Sequence, residues 1–278
     1  MKICISQITT LPSDMETDLA SYGAVGWKNA ELAFSKINSY LETHTLDELK
    51  NQLKKENIRP IAAIGLASSE TGLLLTKPEN IEVYMKSLKK QLSICMALGI
   101  RTLGIGADPS SKYYKGWQVH ALENLRTAGD LAEKYGVVIG LEFMNLAPPI
   151  GPFILDNLND TVRIVKEADH NSVGFNLDLF HFFRSGGVID EIRDLDIEKL
   201  VNVHLCDIPE LEPLKLDDSK RLLPGNGILP LLELVGILKN KEYNFYLSLE
   251  LLNNEIWSEE PVKAAERCLA AMRKFETI

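Results

Sequence analysis

The segment Gly136-Val137-Val138-Ile139-Gly140-Leu141-Glu142-Phe143 follows a stretch of helical period, Val119 to Tyr135, and precedes another, Leu158 to Ala168. Its apolar, β-branched run reads as a buried strand, and Gly136 suits the left-handed position that closes the preceding helix. The next run, Val173-Gly174-Phe175-Asn176-Leu177-Asp178, repeats the pattern, a short apolar strand closed by an acid. Strand, helix and strand in this order are the βαβ unit of a parallel sheet.

Outward from this pair, the same rhythm extends to both ends of the chain. Strands are expected at Ile3 to Gln7, Asn29 to Ala33, Pro60 to Gly65, Thr102 to Gly106, Val137 to Phe143, Val173 to Asp178, Leu200 to Asp207 and Phe245 to Glu250. Between them the helical period predicts Met15 to Tyr22, Leu46 to Glu56, Ile81 to Leu98, Val119 to Tyr135, Leu158 to Ala168, Val188 to Ile192, Leu229 to Lys239 and Pro261 to Phe275. Gly99 punctuates a helix end as Gly136 does, and Thr45 with Glu48 has the spacing of a capping box. No linker rich in Pro, Gly or Ser divides the 278 residues. Eight regular units therefore predict a single (β/α)8 TIM barrel, one domain over residues 1–278. An open doubly wound sheet would carry a glycine-rich phosphate turn after the first strand, where this chain has Thr9-Thr10-Leu11-Pro12-Ser13.

With 45% hydrophobic residues the chain can bury a full core, and a net charge of −9 offers no basic footprint for a nucleic-acid backbone. A small-molecule partner is expected instead. No run of about 20 apolar residues is present to cross a bilayer, and the first residues read as a strand rather than a signal peptide. The expected location is the cytoplasm. Cys4, Cys95, Cys206 and Cys268 are widely spaced, which fits reduced packing residues rather than a disulfide framework.

In such a barrel the C-terminal strand ends converge on one site. Glu142, Asp178, His204 and Glu250 close the fifth to eighth strands, which are neighbours around the barrel. Any one of them alone reads as a helix cap, a solvated acid or a hydrogen-bonded core histidine. Placed together, three carboxylates would repel one another unless a cation joins them, and with one imidazole they form a mixed oxygen and nitrogen ligand set. One divalent ion is expected, with Mn²⁺ preferred and Mg²⁺, Co²⁺ or Zn²⁺ compatible. His181, on the loop side of the sixth strand, and Arg221, after the seventh, are placed to reach substrate oxygens. Asp207 is placed to pair with Arg221 or to orient His204. Trp27, Glu31, Tyr113, Tyr114 and Trp117 are candidates for sugar contacts as well as for ordinary packing.

The order Glu142, Asp178-x-x-His181, His204-x-x-Asp207, Arg221-x-x-Pro224-Gly225-x-Gly227 and Glu250 resembles the xylose isomerase-like barrel superfamily, in its sugar phosphate isomerase/epimerase branch. That branch contains tagatose/psicose-type 3-epimerases, hydroxypyruvate isomerases, and inosose isomerases and dehydratases. The resemblance implies that Glu142, Asp178, His204 and Glu250 bind the metal and that Glu142 and Glu250 double as the acid/base pair. It further implies that His181 and Arg221 bind the substrate, a sugar or cyclitol whose proton moves next to a carbonyl through an enediolate. A dehydratase of an inosose-like or dehydroshikimate-like ketone is the alternative, followed by a noncatalytic sugar-binding barrel. The related abasic-site endonucleases need more histidines than the five present, and this chain has Leu222 where they place one. No phosphate cradle besides Arg221 is evident, so a free sugar suits the sequence as well as a phosphorylated one. The resemblance also suggests a homodimer or homotetramer.

Overall fold

A computed structural model describes residues 1–65, 72–146 and 150–276 of the chain. Eight parallel strands close a barrel in sequence order. They are β1 (Lys2–Ser6), β2 (Asn29–Ala33), β3 (Arg59–Ile64), β4 (Thr102–Gly106), β5 (Val138–Glu142), β6 (Val173–Asp178), β7 (Leu200–Leu205) and β8 (Tyr246–Leu249). Closure joins β1 to β8, with Lys2 opposite Tyr246 and Ile5 opposite Leu249. Just above that seam the Thr9 hydroxyl donates to Leu249 O at 2.9 Å and accepts from Leu251 N at 3.1 Å.

The outer layer comprises α1 (Met15–Val25), α2 (Phe34–Leu41), α3 (Leu46–Lys55), α4 (Ile81–Leu98), α5 (Trp117–Glu133) and α6 (Leu158–Ala168). It continues with α7 (Leu179–Arg184), α8 (Ile189–Asp194), α9 (Leu231–Asn240), α10 (Asn254–Ser258) and α11 (Pro261–Met272). Thr45 and Glu48 make the expected reciprocal capping box at α3. Gly99 and Gly136 take φ of 74° and 64°. All four cysteines are free and buried. No described helix is long and apolar enough to cross a membrane.

Three helices depart from the expected eight. α2 and α7 start directly at the ends of β2 and β6, without the polar linker that marks a helix start in sequence, and α10 is a single capped turn. The seventh expected helix begins at Leu231 rather than Leu229, because the fixed ring of Pro230 precedes its first turn. β7 and β8 stop at Leu205 and Leu249, so Asp207 and Glu250 lie just past the ladder. β6 and β7 slip register at Phe175/Asn176 and lie close there, since a Cβ on Gly174 would come within 2.4 Å of Lys199 O. The slip leaves Asp178 level with His204, one strand apart at the barrel mouth.

Candidate functional site

At the mouth, β5, β6, β7 and the residue after β8 bring donor atoms of Glu142, Asp178, His204 and Glu250 within 4.8 Å of one another. These are the four residues expected from the strand ends. His204 Nδ1 is the hub, 3.3 Å from Glu142 Oε1, 3.3 Å from Glu250 Oε2 and 3.6 Å from Asp178 Oδ2. The Asn176 carboxamide reaches the same Nδ1 at 3.0 Å, and its Oδ1 has no hydrogen-bond partner among the described residues.

On the far side of the ring His204 Nε2 meets Glu31, at 3.0 Å from Oε2 and 3.2 Å from Oε1. Glu31 sits in the middle of β2 and is 1% exposed. Asn202 Nδ2 and the Ser248 hydroxyl each donate to it at 2.9 Å. A candidate for sugar contact or for packing from the sequence, it faces the barrel interior and touches β7 and β8 beneath the site. A neutral imidazole that donates its Nε2–H to a carboxylate is fixed in one orientation, with its Nδ1 lone pair available.

The electrostatics of the cluster suit a cation. Burial works against the imidazolium, but the carboxylates of Glu250, Glu31 and Glu142 raise the His204 pKa well above the ordinary histidine range. Burial pushes the Glu250 carboxyl up to about 7, with the charge of Glu142 adding to the shift. Burial would raise Asp178 too, but the Arg221 guanidinium and His181 hold it well below 3.8. Three hard oxygen donors and one imidazole, held by strand ends, fit a divalent ion.

Arg221 is 1% exposed and committed to acids. Its Nη1 donates to Asp178 Oδ2 at 2.7 Å and lies 3.4 Å from Glu250, while Nε donates to Asp218 at 2.9 Å. His181 is not on a loop but inside α7, whose cap is Asp178 itself: Asp178 Oδ1 accepts the His181 amide at 2.8 Å. One carboxylate thus starts a helix and joins the cluster, which places His181 beside the site. The ring shares its Nδ1 with the Asn145 carbonyl at 3.2 Å, and Nε2 lies 3.4 Å from Arg221 Nη2.

Asp207 serves neither of its expected roles. It accepts backbone N–H groups from Ile208, Gly225, Gly227 and Leu229 at 2.8–3.0 Å, pinning the loop that carries Arg221. Cys206 is buried packing, its thiol pushed up by burial. A cavity of about 400 Å³ opens above the cluster. Glu142, His181, Asp218, Arg221 and Glu250 supply its polar side, and Ile8, Ile64, Tyr84, Ile105, Phe153 and Leu252 form much of the apolar remainder. Trp27, Tyr113, Tyr114 and Trp117 lie outside this lining. Trp27 donates instead to Ala265 O at 3.0 Å, and Tyr114 bonds His120.

Residues 19–275 match the model of the xylose isomerase-like TIM barrel family. The chain belongs to that family. It is 28% identical over 273 residues to an inosose isomerase of Halalkalibacterium halodurans, covering 96% of this chain and 94% of the relative. A D-psicose 3-epimerase of Enterocloster bolteae is 25% identical over 246 residues, 83% of this chain and 74% of the relative. The fold superimposes on the crystal structure of the IolI protein with a bound zinc atom, with a TM-score of 0.85, 24% identity and coverage of 99% of this chain and 98% of that one.

Proposed function

We propose that this family member is a metal-dependent isomerase or epimerase of a sugar or cyclitol, with Glu142, Asp178, His204 and Glu250 as the metal ligands. The observation that carries this reading is the convergence of those four side chains beneath a cavity with one polar side. The inosose isomerase and psicose epimerase relatives support the substrate class, and the zinc in the IolI structure supports a divalent ion. A divalent ion in this ligand set would polarise a substrate carbonyl and acidify the neighbouring C–H.

The chain's own groups supply the rest. Glu142 and Glu250 approach from β5 and from beyond β8, so one carboxylate can take a proton from a carbon while the other returns one. Burial pushes the Glu250 carboxyl up to about 7 in the metal-free site, and a bound divalent ion would draw it down again. His181 and Arg221 border the same cavity and donate to substrate oxygens; Arg221 also keeps Asp178 ionised. Return of the proton to the same carbon gives epimerisation, and return to the adjacent carbon gives isomerisation.

The test is elemental analysis of the purified protein together with NMR of solvent deuterium entering ketoses and inososes, with Mn²⁺ added. About one metal per chain and deuterium at the carbon next to the carbonyl are expected. Failure to bind any divalent metal would remove the reading, and a new ultraviolet-absorbing conjugated carbonyl would reassign the site to dehydration.

Glu31 should set the affinity for that metal without touching it. Glu31→Leu removes the acceptor for His204 Nε2–H, and the dissociation constant measured by competition with a chromogenic chelator should rise about 10–100-fold. Glu31→Gln retains an acceptor oxygen and should recover part of the loss. Unchanged affinity in the Leu variant would show that His204 is oriented by packing alone.

A further inference from the structure

Two guanidiniums lie at the barrel mouth, and their surroundings differ. Arg221 meets three carboxylates. Arg184, the last residue of α7, is 6% exposed, and its partners are both uncharged: Nε donates to Leu216 O at 2.8 Å and Nη1 to Asn145 Oδ1. Among the described residues it forms no ion pair. Two of its five N–H groups are used among the described residues, and Arg184 borders a pocket. A buried cation without a counter-charge is costly, and a guanidinium recognises oxyanions through paired N–H donors.

That pocket encloses about 310 Å³ and adjoins the cavity above the cluster, Met144 and Phe153 lining both. Its acid, Asp156, is half-buried and accepts from Asn157 Nδ2 at 3.0 Å. Asn145 connects the two compartments: its side chain holds Arg184, while its backbone meets His181 Nδ1.

We propose that this side pocket is an oxyanion subsite, in which Arg184 receives a phosphate or carboxylate at the far end of a substrate whose carbonyl end lies by Glu142 and Glu250. The proposal rests on the isomerase reading for where the substrate's other end lies. An anion there satisfies the guanidinium. Specificity would then favour a linear ketose carrying a terminal acid over a ketose of the same length without one.

The experiment compares a free ketohexose with the same sugar phosphorylated at its terminal carbon. Binding to the metal-loaded protein is followed by calorimetry, so no turnover is required. The phosphate ester should bind at least about tenfold tighter in low salt. Arg184→Met should erase that preference while changing affinity for the free sugar by less than about twofold, and Arg184→Lys should keep part of it. Unfolding curves recorded first establish that each variant is folded, and Arg184→Lys carries the comparison if the Met variant is not. Inorganic phosphate should compete with the ester in wild type and not in Arg184→Met. Equal binding of the two sugars, or a preference that survives Arg184→Met, overturns the proposal. Arg184-dependent binding of inorganic phosphate without preference for the ester also overturns it, by assigning the pocket to a separate small anion. Absence of deuterium exchange with both sugars would count against the isomerase reading alone, because the binding preference is measured independently.

Discussion

Glu142→Gln and Glu250→Gln should each lower the rate of solvent deuterium exchange by about 10²–10⁴-fold, the range associated with a positioned acid or base. Each substitution preserves shape and one oxygen donor, so the fold should be unaffected, as circular dichroism would show. The two variants need not behave alike towards metal. Glu250 is more deeply buried and lies 3.4 Å from Arg221, whereas Glu142 is the more exposed of the pair. Metal occupancy must therefore be restored with excess ion before rates are compared. Exchange at wild-type rate in either metal-loaded variant would remove that glutamate from the acid/base pair.

Arg221→Met should be the most destabilising substitution at the site. Arg221 and Asp178 are both buried and 2.7 Å apart, so removing the guanidinium leaves a carboxylate without its principal counter-charge, at a cost of about 3–5 kcal/mol. Denaturant unfolding of the metal-free protein measures this. The sign with pH is fixed by the lowered carboxyl of Asp178: its stabilising contribution is present above 3.8 and is lost as pH falls through the still lower folded-state value. Wild type should lose this contribution in acid, and Arg221→Met should show a flatter acid limb. A divalent ion supplies the missing positive charge, and at about one hundred times its dissociation constant it returns about 2.7 kcal/mol. An unchanged unfolding midpoint in the metal-free variant would show that the Arg221–Asp178 pair contributes no net stability.

Glu142, Asp178, His204 and Glu250 could be read from sequence because each lies at or near the C-terminal end of an apolar run, and the barrel brings those ends to one rim. The role of Glu31 against His204 escaped because Glu31 interrupts a strand rather than ending it. The available signal was an acid enclosed in Ala30-Glu31-Leu32-Ala33, a segment too apolar for a solvated carboxylate. Asp207 was assigned to side-chain partners, whereas its partners are backbone amides, which every non-proline residue carries and which side-chain identity does not single out. His181 was placed on a loop because six residues of α7 are too few to show a helical period. For the same reason Arg184, three residues farther along that short helix, was not associated with His181. Trp27 and Tyr114 take the packing alternative that the sequence left open beside sugar contact, since lying near a strand end does not decide whether a side chain enters the cavity.

Glu31 belongs to β2, yet its carboxylate ends on Asn202, His204 and Ser248 of β7 and β8. Those contacts span more than half the chain, and they exist only when the last strands have docked beside the first, where Thr9 bridges to Leu249 and Leu251. A nascent or nicked chain holding only the first six strands lacks both His204 and Glu250. Under the proposed metal reading, capture of an ion at full affinity requires the C-terminal strands to be docked against the first, and metal uptake during refolding should coincide with their arrival.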